Sequence, residues 1–374
     1  MSYITALGTA SPQHAHLQSD IAEFMARAMA LPQPEARKLR AIFRASGIDT
    51  RHSVLLDYGS TGARTFYPPA ANLEPFPTTA QRMHLFQKHA PVLSELAVQE
   101  VWRQRPEVLP ESITHLVVVS CTGMYAPGLD IDLVKVLGLP TDVQRVCINF
   151  MGCYAAFNAL KLAHQFCETS PHARVLVVCT ELCSIHFQKE PTEDNILANA
   201  LFADGAAAVL VESKARTGVN LSPAAFYCDL APEGENDMAW RIGNWGFEMR
   251  LSSYVPKVIQ SGIHPLTQRL LKKIDRDLSH VDLFAIHPGG KKILEAVEAE
   301  LHLTKEQNAA AYRVLQKYGN MSSPTVLFVL KEIWQQLKAE DDHKTILSFA
   351  FGPGLTLESM LLHVVFNPPP TPTS

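Results

Sequence analysis

Three residues of this chain could do chemistry together: Cys153 in NFMGCYAAFNALKLA, His287 in LFAIHPGGKK and Asn320 in KYGNMSSPTVLFVL. A thiol, an imidazole and a neutral amide are the groups a decarboxylating carbon–carbon condensation needs. The thiol holds an acyl group, and the imidazole keeps it as thiolate. The imidazole and amide N–H groups then hold a thioester oxygen while it becomes an enolate. An aspartate in the third position would repel that negative charge; asparagine does not.

Each of the three sits in a sharply punctuated turn. Gly152-Cys153 precedes a helical stretch, so the thiol is expected at the positive end of a helix dipole with a lowered pKa. Gly152 lets the chain turn tightly and a substrate approach. An arbitrary cysteine here would read as a small buried residue, and the two partner loops argue against that. His287 ends a strand and is followed by Pro288, Gly289 and Gly290, then by a helix from near Lys291. Strand ends are where ligand sites form in α/β folds. Asn320 alone would read as a cap or turn residue. Phe351-Gly352-Pro353-Gly354 reads as a rigid turn that either joins two strands or shapes a cavity wall. Arg37, Lys38, Arg40, Arg44 and Arg51 form a basic stretch, either a solvated helix face or a grip for a phosphate-bearing substrate.

The elements that must position these residues occur twice. HLVVVSCTG (115–123) precedes the Cys153 loop, a helix from about Tyr154 to Phe166 follows it, and strands ARVLVVCTE (173–181) and GAAAVLVES (205–213) come next. DLFAIHPGG (282–290) precedes the Asn320 loop, followed by a helix over 325–337 and strands at 345–354 and 356–366. The offsets nearly agree: Lys161 to Lys331 is 331 − 161 = 170, and Val175 to Ile346 is 346 − 175 = 171. This duplication places the Asn320 loop where the Cys153 loop lies in the first half. The strands are unbroken apolar runs, which implies sheets covered by helices on both faces. The helix after Cys153 is apolar nearly all round and is expected at the centre. The segment 18–31 reads as an amphipathic helix with Ser19 as N-cap. Residues 58–79, rich in Pro, Gly and Thr, read as a long loop, and the tail NPPPTPTS as disordered. The chain divides into an N-terminal half (1–217) with the cysteine, a C-terminal half (218–367) with the histidine and asparagine, and a tail (368–374).

The 374 residues are 47% hydrophobic and 19% charged, ample for a large core. A formal charge of −4 argues against a nucleic-acid binder. No apolar stretch approaches the roughly 18 residues needed to span a bilayer, and MSYITALGTASP lacks the features of a signal peptide. Seven cysteines, odd in number and irregularly spaced, suit reduced thiols in a cytoplasm. Cys179 and Cys183 read as buried core thiols rather than half of a zinc site.

The chain resembles the type III polyketide synthases, the chalcone synthase-like family. The GC loop, ARVLVVCTE, ALFADGAAA, IHPGG, YGNMSS and FGPGLTLE match in order across nearly the whole chain. The resemblance implies an α/β thiolase fold, duplicated in five αβαβα layers with mixed sheets covered by helices, and a homodimer. It implies Cys153 as nucleophile and His287 with Asn320 as the decarboxylation pair. The implied substrates are an acyl-CoA (or acyl-ACP) starter and malonyl-CoA, with neither a metal nor an organic redox cofactor. Phe202 matches the family's gatekeeper between the coenzyme A tunnel and the cavity. Met249 stands where a second gatekeeper phenylalanine is usual, Trp240 where a glycine is usual, and His186 and Cys121 where threonines are. Ala126 precedes Pro127 in place of a methionine, at a turn that reaches the partner's cavity wall in the family. With Ala198, Ser322 and the Gly352-Pro353-Gly354 turn, these residues are expected to line the cavity. Lys38, Arg40, Arg44, Gly289 and Gly290 are expected at coenzyme A. The departures resemble bacterial members that extend fatty acyl starters into alkylpyrones or alkylresorcinols. A ketoacyl-ACP synthase III-like enzyme shares the triad and stops after one condensation. A papain-like hydrolase has Cys, His and Asn in that order, but its Cys-Gly-Ser-Cys-Trp surround is absent. A non-catalytic scaffold would not need an intact triad.

Overall fold

The computed structural model describes residues 1–59, 62, 64–252 and 254–369. The tail expected to be disordered lies, from residue 370 onward, outside the described residues. The strands are β1 (Tyr3–Ala10), β2 (His14–Leu17), β3 (Thr50–Ser53), β4 (His115–Ser120), β5 (Gln144–Asn149), β6 (Arg174–Leu182), β7 (Asp204–Glu212), β8 (Gly218–Leu230), β9 (Met238–Gly243), β10 (Gly246–Leu251), β11 (Leu283–Ile286), β12 (Thr345–Gly352) and β13 (Thr356–Asn367). The helices are α1 (Gln18–Ala28), α2 (Gln33–Ala45), α3 (Thr79–Gln104), α4 (Leu129–Leu137), α5 (Ala155–Thr169), α6 (Glu193–Leu201), α7 (Val255–Lys272), α8 (Lys291–Leu301), α9 (Ala309–Tyr318) and α10 (Thr325–Trp334).

The apolar runs become buried strands as their composition requires. Every residue of β4 and β7 is buried, and in β6 only Arg174 is partly exposed. The mixed sheets are one continuous sheet of nine strands, in the order β11-β12-β13-β8-β1-β7-β6-β4-β5. Its two halves join through a single residue pair, Ile4 with Leu221 between β1 and β8. The duplication is plain in the pairing. β6 lies between parallel β4 and antiparallel β7, and β12 lies between parallel β11 and antiparallel β13. The halves differ in their connections: β5 leads into the Cys153 loop, whereas α8 and α9 lead to Asn320, and α6 separates β6 from β7, whereas a short turn joins β12 to β13.

The layering follows from the helix contacts. α5 touches β4, β5, β6 and β7 on one side and β13 on the other; α10 touches β11, β1 and β7. These two helices form the central layer. α3 covers β1, β6 and β7 from outside, and α7 covers β8 and β13. A helix squeezed between sheet layers needs small side chains. In α5, Ala155, Ala156, Ala159 and Ala163 meet that need with no exposure. Its one cation, Lys161, ties α5 to the buried carboxylate of Glu358 in β13 at 2.5 Å.

Two local readings need correction or confirmation. Ser19 is not the N-cap of α1: Leu17 is, without a side-chain cap. The Asp49 carbonyl accepts from the Gln18 N–H at 2.9 Å, so the backbone supplies what a capping serine would. The loop over 59–78 holds no helix or strand among the described residues, and it ends in a capping box formed by Thr78 and Gln81 at the start of α3.

Candidate active site

The three sequence-selected residues meet in one buried cavity. Cys153 lies between β5 and α5, His287 follows β11, and Asn320 lies between α9 and α10. Their exposures are 7%, 1% and 2%. Gly152 adopts φ +85°, and a Cβ there would overlap Pro353 Cδ, so only glycine lets the nucleophile's loop sit against the Pro353 turn. Cys121, Ser322, Phe202, Met249 and Trp240 line the same cavity, and so does Gly289. Pro353 lines it too, but its neighbours Gly352 and Gly354 do not. Gly352 instead packs under Tyr154.

Hydrogen bonds orient Asn320. Its Oδ1 accepts from the Ser322 N–H at 2.8 Å, which fixes the amide so that Nδ2 donates to the Gly289 carbonyl at 3.2 Å. An amide nitrogen carries two N–H groups, so one remains to serve a substrate oxygen. Ser322 makes this contact from φ +59°, a conformation rare outside glycine. Both ring nitrogens of His287 are buried with no partner in the protein. An orphaned buried polar group costs about 1–3 kcal/mol, so its persistence calls for a functional reason.

The expected low pKa of Cys153 is not what the site favours. Burial pushes the thiol up to about 12, against smaller lowering from Ser322 and Asn320. Burial pushes His287 down to about 3. The Cys153 thiol contacts Asn320 Oδ1 at 4.0 Å, not an imidazolium. The position before a helix was a correct local signal; desolvation, which depends on the whole fold, outweighs it. Burial disfavours a lone charge on either group.

The cavity volume is only about 30 Å³. A second cavity of about 50 Å³ lies behind a shared wall of Cys183, Phe202, Trp240 and Met249, and includes Ala198 and His186. Trp240 is fixed by its Nε1–H donating to the Cys121 carbonyl at 2.6 Å. His186 stacks on Phe247 with centroids 4.4 Å apart. Its Nε2 donates to the Thr122 carbonyl at 2.7 Å, and its Nδ1 accepts from the Phe247 N–H at 2.9 Å. Burial holds it neutral, down to about 3. His186 therefore props a wall and is not available for proton transfer.

Family models cover this whole arrangement. The model for the N-terminal domain of chalcone and stilbene synthases matches residues 1–215, and the model for their C-terminal domain matches residues 224–366. The chain belongs to the chalcone and stilbene synthase family. It is a type III polyketide synthase, an acyltransferase class that performs decarboxylative condensations. Among its relatives is the alpha-pyrone synthesis polyketide synthase-like Pks18 of Mycobacterium tuberculosis, 33% identical over 98% of this chain and 92% of that protein. Solved structures agree. Polyketide synthase PKS-I of the brown alga Ectocarpus siliculosus superimposes with a TM-score of 0.90 at 30% identity, covering 97% of this chain and 98% of that one. The C-terminal type III domain of Steely1 from Dictyostelium gives 0.88 at 30% identity, covering 97% and 99%. These neighbours carry the thiolase fold.

A third cavity of the synthase, about 290 Å³, adjoins the catalytic one and shares Leu251, Gly289 and Ile293 with it; Gly290 also lines it. Lys38 and Arg44 are exposed on α2 and do not line this cavity, and Arg40 pairs with Glu23 at 2.5 Å. Ala126 is exposed beside a separate recess, away from its own chain's catalytic cavity. Among the described residues no group of three metal-binding side chains occurs, and no helix is long and apolar enough to cross a membrane.

Arg51 is the largest departure. It is 4% exposed, so it cannot join a surface phosphate grip. Its Nη1 donates to the Phe202 carbonyl at 2.6 Å and its Nε to Gln18 Oε1 at 2.8 Å. Gln18 Nε2 in turn donates to the Ala200 carbonyl at 2.7 Å, and the Asn320 N–H to the Leu201 carbonyl at 2.9 Å. Three successive carbonyls at the end of α6 are thus held by three distant donors. Nothing in a basic run announces this. Arg51→Met should lower the unfolding free energy by about 2–4 kcal/mol, because it strands buried polar groups. Urea denaturation checks this; unchanged stability with a raised KM for coenzyme A thioesters would restore the phosphate reading.

Proposed function

We propose that the synthase loads an acyl-CoA starter on Cys153, extends it with malonyl-CoA and releases an alkylpyrone or alkylresorcinol. The observation carrying this reading is the convergence of Cys153, His287 and Asn320 on one buried cavity in which the His287 ring nitrogens lack partners. His287 takes the Cys153 proton, the thiolate attacks the starter's thioester carbon, and the coenzyme A thiolate leaves with that proton. Malonyl-CoA then places its thioester oxygen against the neutral His287 N–H and the free Asn320 N–H. The bond to carbon dioxide breaks, its electron pair forms the enolate, and the enolate carbon attacks the acyl-Cys153 carbonyl. Cys153 leaves and is free for the lengthened chain. Asparagine suits the third place because it donates without adding negative charge.

The second cavity supports an aliphatic starter, with its tail passing the Met249 and Trp240 wall. At about 30 Å³ the catalytic cavity has room for a few waters at most, so an acyl tail enters by displacing a wall residue. Met249 is the unbranched, flexible one. The description of Pks18 as an alpha-pyrone synthesis enzyme supports the product class. We further place the synthase in the cytoplasm as a homodimer, with the Ala126 turn closing the partner's cavity. Mass spectrometry of products from malonyl-CoA and acyl-CoAs of graded length tests the reading. Met249→Phe should shift the preferred starter to shorter chains; an unchanged profile removes Met249 from the acyl path. A single condensation product throughout would favour the ketoacyl synthase-like alternative.

A further inference from the structure

We propose that Lys291 and Lys292, at the start of α8, grip the phosphates of the incoming coenzyme A thioester. The inference rests on the coenzyme A reading above and moves the anion contact from α2 to α8. The third cavity is the opening that adjoins the catalytic one, through Leu251, Gly289 and Ile293. Its wall from α2 consists of Ile42 and Ala45, with Ser46 just beyond; α6 adds Leu197 and Glu193. The cations on that wall are Lys291 and Lys292, which follow directly on the His287-Pro288-Gly289-Gly290 turn. A ligand threaded through the opening therefore passes an apolar sleeve suited to a pantetheine arm before its phosphates reach the lysines.

Lys292 is uncommitted, and Lys291 is held only by a long, exposed ion pair. Lys291 has 44% of its side chain exposed, and its nearest carboxylate, Glu295, is 3.7 Å away and itself exposed. Lys292 is exposed and forms no ion pair among the described residues. The Lys291 stem packs beside Gly47, just beyond the end of α2. Of the residues that line the opening, the two lysines face one carboxylate, Glu193; Glu295, outside the lining, pairs with Lys291, which leaves Lys292 as the uncommitted cation. Arg40, by contrast, is occupied by Glu23.

The experiment is the Lys291→Ala/Lys292→Ala double variant in the full-length synthase, beside Lys38→Ala/Arg44→Ala. Neither pair is buried, so folding should survive, and thermal melting of each variant verifies it. For the α8 variant, KM for malonyl-CoA should rise about tenfold or more, the worth of a charge-assisted hydrogen bond, while kcat stays within about twofold. KM for the malonyl thioester of N-acetylcysteamine, which has no phosphate, should not move. The Kd for free coenzyme A should rise in parallel, and the parent's dependence of KM on salt should flatten. An unchanged KM, an equal rise with both thioesters, or a larger rise in the Lys38/Arg44 variant would overturn the assignment. A parent protein that condenses neither thioester, yet binds coenzyme A more weakly once the lysines are removed, would count against the proposed reaction and leave the grip standing.

Discussion

Cys153→Ala should abolish carbon–carbon bond formation while carbon dioxide still leaves malonyl-CoA. In the proposed mechanism the thiol carries the growing chain, so its loss should cut condensation by about 10⁴-fold or more. In that mechanism decarboxylation needs only His287 and Asn320. The substitution removes one sulfur and one long contact, Sγ to Asn320 Oδ1 at 4.0 Å. Asn320 keeps its orientation through the Ser322 N–H. Radiolabelled malonyl-CoA separates the two steps. If carbon dioxide release fell as far as condensation, the division of labour between the thiol and the other two groups would be wrong.

Asn320→Ala should slow both steps by about 10²–10³-fold, as expected for one oxyanion donor. Asn320→Asp is the sharper probe. It keeps the shape and the acceptor for the Ser322 N–H, yet replaces the donor by a carboxylate facing the developing enolate. Its decarboxylation should be at least as slow as that of the alanine variant. Parental decarboxylation in either variant would remove Asn320 from the reaction, whereas an aspartate variant faster than the alanine one would reduce its role to holding the loop.

What could be read in advance follows the range over which each signal acts. Cys153, His287 and Asn320 stand at turns marked by nearby glycines and prolines, and their grouping followed from the duplicated order of strands and helices. The buried strands announced themselves as unbroken apolar runs. The thiol's pKa did not, because the helix-end position is local while desolvation comes from the closed fold. Within the basic stretch the surroundings differ in the same way. Arg51 and Lys38 look alike in sequence, but one is buried against Phe202 and the other faces water. Lys291 and Lys292 carry no local signal, because only the packing of α2, α6 and α7 against the glycine turn makes an opening beside them. The second cavity was equally hidden, since α1, β3, α6 and the β9–β10 hairpin must assemble to enclose it.

The clamp on residues 200–202 bears on how such a synthase diversifies. Phe202 borders both cavities, and its carbonyl and the neighbouring Leu201 carbonyl are held by Arg51 and by the Asn320 backbone. A mutation that shifts Phe202 to admit a new starter thus perturbs the amide on which every starter depends. Trp240 and Met249 sit on a separate hairpin, with no such tie to Asn320. Lineages, and directed-evolution libraries, should therefore explore positions 240 and 249 freely, while position 202 changes only together with compensating substitutions near 18, 51 or 319.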